Sequence, residues 1–180
     1  MNGSPAPPPA SPERRDLLIG GYAALAVAVH VIEAAFPSPL PGVKPGLANV
    51  VTLIVLRRHG WTAAAWVSAL RVVAGSLLAG SLFAPGFWLS AAGAGASLVV
   101  LGAAVLWNRL VPGWRLSVIG QSLLAAQAHL LGQLGMAGLL LPAAALLALA
   151  PLWLALGVVL GGVSGALAAR ILQAIDLKAA

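Results

Sequence analysis

The sequence contains no cysteine and only four acidic residues among 180. The first absence removes disulfides, thiolate metal sites and cysteine nucleophiles. The second removes more. Asp16 and Asp176 lie in the tails, and Glu13 and Glu33 stand far apart. No two carboxylates are spaced for general acid–base work, and none cluster as a hard cation such as Mg²⁺ requires. His30 and His129 have a single carboxylate for company, so no metal site and no cofactor are expected. P-loop, HExxH, GxSxG and dinucleotide fingerprints are all missing, and the Gly-rich "AAGAGAS" around Gly93 follows no strand. Catalysis by this chain alone is not expected.

Charge of either sign is scarce. Only 8% of residues are charged, 61% are hydrophobic, and the mean hydropathy is +0.99. That is too little charge to clothe a soluble domain. Several apolar runs reach the roughly 20 residues that cross a bilayer core. Ten-residue alternating segments, the mark of a membrane β-barrel, do not occur. The expected class is all-α, a polytopic integral membrane protein. The net charge of +6 comes from basic residues scattered singly or in pairs. With no cluster to track a phosphate backbone, nucleic acid is not an expected partner.

Residues 1–16 are rich in Pro, Ser and Ala and read as a disordered cytoplasmic tail. The "RRDLLIG" that follows resembles a secretory or twin-arginine signal, but the apolar run continues past signal length. Six transmembrane helices are expected at about 17–35, 46–57, 62–83, 88–108, 115–138 and 143–172, with a short tail over 173–180. The second is short for a span. Pro151 can interrupt the sixth, leaving the stretch from Pro142 as a separate interfacial piece. With both termini cytoplasmic, the inner side collects Arg14, Arg15, Arg57, Arg58, Arg109, Arg115, Arg170 and Lys178. The outer loops keep only Lys44, as the positive-inside rule requires.

Proline is concentrated where charge is otherwise missing. Pro37, Pro39, Pro41 and Pro45, with Gly42, form an outer loop framed by Glu33 and Lys44. Proline fixes φ and donates no hydrogen bond, so this loop reads as extended and stiff.

Polar residues inside apolar helices need a partner or a cavity, since a charge at mid-bilayer costs about 2.5–3.5 kcal/mol even on a lenient scale. Arg71 sits near the middle of the third helix. It is either a packing clamp or a guanidinium presented to an anionic ligand. Tyr22, His30 and Glu33 fall within about 80° of one another on the first helix. Asn49 and Thr52 lie three apart on the second. Ser90, Gly93 and Ser97 share a side of the fourth. Ser122, His129 and Gln133 form a stripe on the fifth, from which Gln121 and Gln127 point away. Together these faces predict a cleft toward the outer half, under the Pro-rich loop. Gly20, Ala24 and Ala28 on the first helix, and Gly157, Gly161 and Gly165 on the sixth, form small-residue strips that permit close helix approach, within the fold or to a partner. Trp61, Trp88, Trp107 and Trp114 fall at helix ends, as interfacial anchors do.

The string "PSPLPGVKPGLANVVTL", then Gly60, Arg71 and Gly80, then "LSAAGAGAS", and finally "SVIG" and "AHLLGQL", resemble the Gx transporter family, also called heptaprenyl diphosphate synthase component I. The resemblance covers roughly residues 17–170. Two positions depart from it: Pro45 stands where the family has Leu, and Leu130 where it has Asn. The family is similar to the S-components of energy-coupling-factor (ECF) transporters. Those are six-helix proteins of the bacterial cytoplasmic (inner) membrane that bind a small ligand from outside, under the loop between helices 1 and 2. The resemblance implies docking on a coupling subunit with its ATPases through small residues of the first helices. The synthase label implies a link to polyprenyl diphosphates or quinones, although prenyl diphosphate enzymes hold Mg²⁺ on aspartate-rich motifs that this chain lacks.

Two functions follow as expectations. One is a substrate-binding and transport protein in the bilayer, with Glu33, Lys44, Asn49, Arg71, Ser90, His129 and Gln133 lining a site for a small anionic or isoprenoid-related ligand. Pro37, Pro39, Pro41, Gly42 and Pro45 would form its gate. The other is a non-catalytic membrane subunit of a polyprenyl diphosphate synthase.

Overall fold

The computed structural model of the protein describes residues 11–35, 47–139 and 143–179. These form six α-helices: α1 (Pro12–Ala35), α2 (Leu47–His59), α3 (Trp61–Leu78), α4 (Pro85–Leu110), α5 (Val118–Ala137) and α6 (Ala143–Ala179). A single 3₁₀ turn, Pro112–Trp114, joins α4 to α5, and no strand occurs among the described residues. The proposed gate residues Pro37, Pro39, Pro41, Gly42 and Pro45, and Lys44 with them, lie outside the described residues.

Local chemistry explains where the helices depart from the expected bounds. α1 starts at Pro12, five residues early. Proline suits the first helical position, the Arg14 amide donates to Ser11 Oγ at 3.4 Å, and Glu13 complements the helix dipole. α3 stops at Leu78 because Gly80 and Phe83 take positive φ values of 62° and 64°. Pro85 then opens α4. Ser117 caps α5 by accepting the Gly120 amide at 3.1 Å. α6 runs unbroken through Pro151, so the separate interfacial piece does not form. The ring removes one N–H donor, and the Ala- and Leu-rich turns on either side carry the helix across.

Four helical stretches are long and apolar enough to cross a membrane: Pro12–Ile32, Trp61–Leu78, Pro85–Leu110 and Ala150–Lys178. The two helices that miss this standard do so for different reasons. α2, with 13 residues, is about 20 Å long, against a hydrocarbon core of about 30 Å. It is packed on α1, α3, α5 and α6, and residues 50–56 are all buried. α5 carries three glutamines and His129 in 20 residues and lies between α4 and α6.

Only Gly60, at φ 85°, separates α2 from α3. Its positive φ suits a residue without a Cβ. The helices alternate in direction, so the starts of α1, α3 and α5 lie at the same end as the finishes of α2, α4 and α6. Side chains tie this end together. Arg58 Nη1 donates to Asp176 Oδ1 at 3.2 Å, and the Tyr22 and His59 rings lie 5.3 Å apart. Asn108 both accepts from and donates to the Leu116 backbone, at 2.7 and 3.2 Å. Trp107 Nε1 donates to the Trp114 carbonyl at 2.8 Å. The same alternation gathers at this end the eight Lys and Arg residues assigned above to one side of the membrane.

The α6 glycines are used within the fold. A Cβ on Gly161 would lie 2.8 Å from Ala126 Cβ and 3.2 Å from the Leu123 Cα, and one on Gly165 would lie 2.8 Å from the Ile119 Cα. Gly157 faces Leu130 and Gln127. Two cross-helix bonds exploit the closeness: Ser122 Oγ donates to the Gly161 carbonyl at 2.7 Å, and Gln127 Nε2 to the Leu154 carbonyl at 3.0 Å. By contrast, Gly20, Ala24 and Ala28 on α1 are exposed. Overpacking of a tight contact costs about 1–3 kcal/mol. Gly161→Val is therefore expected to lower the unfolding temperature in detergent. Gly162→Val, whose neighbour is 4.0 Å away, should be tolerated. Equal effects of the two substitutions would remove the strip from the packing.

Candidate functional site

A cavity of about 220 Å³ opens in the half of the molecule away from the basic end. All six helices contribute to its lining. α3 supplies Arg71, near the helix midpoint and about 15 Å along the axis from its start. Its side chain is buried at 6% exposure, and Nη1 donates to Asn49 Oδ1 of α2 at 3.4 Å. Asn49 is thus held with its carbonyl oxygen toward the guanidinium, leaving its amide hydrogens available for other acceptors.

α5 contributes the stripe expected of it. Ser122, His129 and Gln133 all line the cavity, whereas Gln121 and Gln127 do not. The α4 wall permits this because Gly93 has no side chain. A Cβ there would lie 2.8 Å from His129 Nε2 and 2.9 Å from Gln133 Cγ. Gly132 similarly lets α5 approach the Ala92 carbonyl. Ser90 and Ser97 of α4 complete that wall, and Leu53, Leu101, Leu130 and Leu160 supply apolar lining.

Five of the seven expected ligand residues therefore share one cavity: Asn49, Arg71, Ser90, His129 and Gln133. Glu33 lies in the last turns of α1, three residues beyond the lining residue His30, and Lys44 is outside the described residues. Tyr22 shares a helix face with His30 but sits about 12 Å lower, against His59 at the basic end. The sequence put Thr52 on a cleft-forming face without making it a ligand residue, and it did not place Ser76 and Ser164 in the site. Thr52 had a signal in its spacing from Asn49. The two serines had none beyond a hydroxyl in an apolar helix.

Two buried polar atoms of lining residues, Thr52 Oγ1 and His129 Nδ1, have no hydrogen-bond partner among the described residues. An unsatisfied buried group costs about 1–3 kcal/mol. Among the described residues no group of three His, Cys, Asp or Glu side chains is arranged to hold a metal. The arrangement suits recognition: a cation, an amide, hydroxyls and an imidazole among apolar side chains.

Alanine normally favours a helix over glycine by about 1 kcal/mol. Gly95→Ala, with open space at its Cβ, should follow that rule and leave stability equal or higher. Gly93→Ala should instead lower the unfolding temperature, because His129 and Gln133 must be displaced. Matching melting curves for the two variants would contradict the close packing at Gly93.

A search of curated proteins and a search of solved structures each found no match. The family model described as heptaprenyl diphosphate synthase component I matches residues 22–171, a stretch that takes in the cavity-lining residues of all six helices. The chain belongs to the heptaprenyl diphosphate synthase component I family.

Proposed function

We propose that this family member is a membrane substrate-binding and transport protein, similar to an S-component, and is not itself an enzyme. The observation that carries the proposal is the burial of Arg71 on a cavity lined by polar side chains from every helix. A purely structural clamp would not need His129 Nδ1 and Thr52 Oγ1 left without partners among the described residues. In this reading Asn49, Arg71, Ser90, His129 and Gln133 contact a small anionic or isoprenoid- or quinone-related ligand, joined by Glu33 and Lys44. The Pro-rich loop 36–45, between α1 and α2 in the sequence, acts as its gate. Both termini face the cytoplasm of a bacterium, the basic end being the inner one. Movement of the ligand needs an energy-supplying partner such as a coupling subunit with ATPases, and the exposed strip Gly20, Ala24 and Ala28 is where it would dock.

A second reading has support from the family's description alone: a non-catalytic membrane subunit that binds a polyprenyl diphosphate synthase. Arg57, Arg58, Arg109 and Arg115 at the basic end would be its docking surface.

Purification of the full chain from its own membranes in mild detergent, with mass spectrometry of retained small molecules and proteins, separates the two. Transport predicts a retained small molecule. The subunit reading predicts an empty protein in stoichiometric complex with a synthase. Charged hydrogen bonds contribute about 1.5–3 kcal/mol, so Arg71→Ala should reduce retention at least about tenfold in protein that still folds. Failure of both Arg71→Ala and Arg71→Lys to fold would make the guanidinium a packing element. Orientation has its own check, made simple by the lack of native cysteine. Gly113→Cys should react only from the cytoplasmic face and Ala84→Cys only from the outer face. Labelling of both from one face would refute the up-and-down arrangement.

A further inference from the structure

The chemistry of the cavity narrows the ligand class, on the premise that the cavity binds a ligand as proposed above. Apart from the eight basic and three acidic residues of the basic end, the chain has three charges: Glu33, Lys44 and Arg71. Two cations and one anion leave a net charge of +1, however they pair among themselves. A ligand with two or three negative charges would therefore carry uncompensated charge into a low-dielectric site, at a cost of several kcal/mol per ion. Mg²⁺ cannot relieve it, since hard cations need clustered carboxylates and the chain has no two acidic residues near each other at this level.

Size points the same way. The cavity holds about 220 Å³, below the roughly 300–1,000 Å³ of pockets for drug-sized ligands. A chain of seven isoprene units has about 35 carbons. At the roughly 10–15 Å³ of such cavity space that each water-sized group needs, it requires on the order of 400 Å³. Beyond charge and size, the lining asks for polarity at a second place. Among the described residues Thr52, 5% exposed, has Oγ1 without a partner, as has His129 Nδ1, while Leu53, Leu101 and Leu160 supply apolar contact.

We infer that the cavity takes a compact organic monoanion with an apolar body and at least one further hydrogen-bonding atom, and does not take a prenyl diphosphate. The singly charged head lies at Arg71 and Asn49, and the second polar atom answers Thr52 or His129. The family's synthase label then describes an association, not the contents of this cavity.

The test is the charge and size of whatever the full chain retains when purified from its native membranes, released and analysed by mass spectrometry. It is paired with Thr52→Val, which keeps side-chain shape and breaks no hydrogen bond among the described residues. The expected result is a monoanion, held three- to tenfold less well by Thr52→Val at an unfolding temperature that is equal or higher. A retained diphosphate, neutral molecule or cation would overturn this inference and leave the binding function standing. A monoanion held equally by Thr52→Val would overturn the assignment of the hydroxyl to the ligand. An empty wild-type protein would overturn both this inference and the transport reading. The charge of the retained molecule decides the matter even if Thr52→Val does not fold.

Discussion

The contact between α5 and α6 is the constraint on which the rest of the molecule depends. Gly157, Gly161 and Gly165 let the two backbones approach until Ser122 reaches the Gly161 carbonyl at 2.7 Å. That bond and the Gln127 bond to Leu154 fix the rotation of α5 about its own axis. A helix has one rotational setting per neighbour, so the side chains seven and eleven residues beyond Ser122 are set as well. His129 and Gln133 point into the cavity because Ser122 points at α6. On the other side of α5, Gly93 and Gly132 play the reciprocal part against α4.

Polarity in this protein follows shielding. α2 and α5, the helices that fall short as independent spans, carry Asn49, Thr52, Ser122, His129 and Gln133. In hydrocarbon such side chains would need internal partners at every position. Here they face other helices, and the bulkier apolar residues of α1, α3, α4 and α6, including Leu25, Val73, Val99 and Val159, are turned outward. The usual inside-out expectation for a soluble core is reversed only in part. The centre around α2 is still a close-packed cluster of Val, Leu and Ile with alanine.

Sequence reading recovered what periodicity and scarcity encode. A stripe at i, i+7 and i+11 on α5, and a lone arginine in an apolar helix, needed no coordinates to be singled out, and they converge on one cavity. It also recovered six helices and the family. What it missed has physical reasons. The centrality of α2 was hidden because a short helix reads as a weak span, and burial on all sides produces no amphipathic signal. The use of the α6 glycines within the fold could not be told from partner docking, since both need the same small surface. The Arg58–Asp176 pair joins residues 118 apart and has no local signature. Pro151 misled, because a breaker in an isolated helix is tolerated when long apolar turns flank it.

The one-residue connection at Gly60 has a mechanical meaning. α2 and α3 have no loop between them to absorb displacement, so they behave as the two tines of a fork. Asn49 and Arg71, hydrogen-bonded to each other, sit out along the tines. Arg57 and Arg58 sit at the base, where Arg58 is fastened to the end of α6. Any displacement of one tine against the other at the Asn49–Arg71 level therefore turns on Gly60 and bears on the Arg58–Asp176 pair at the base.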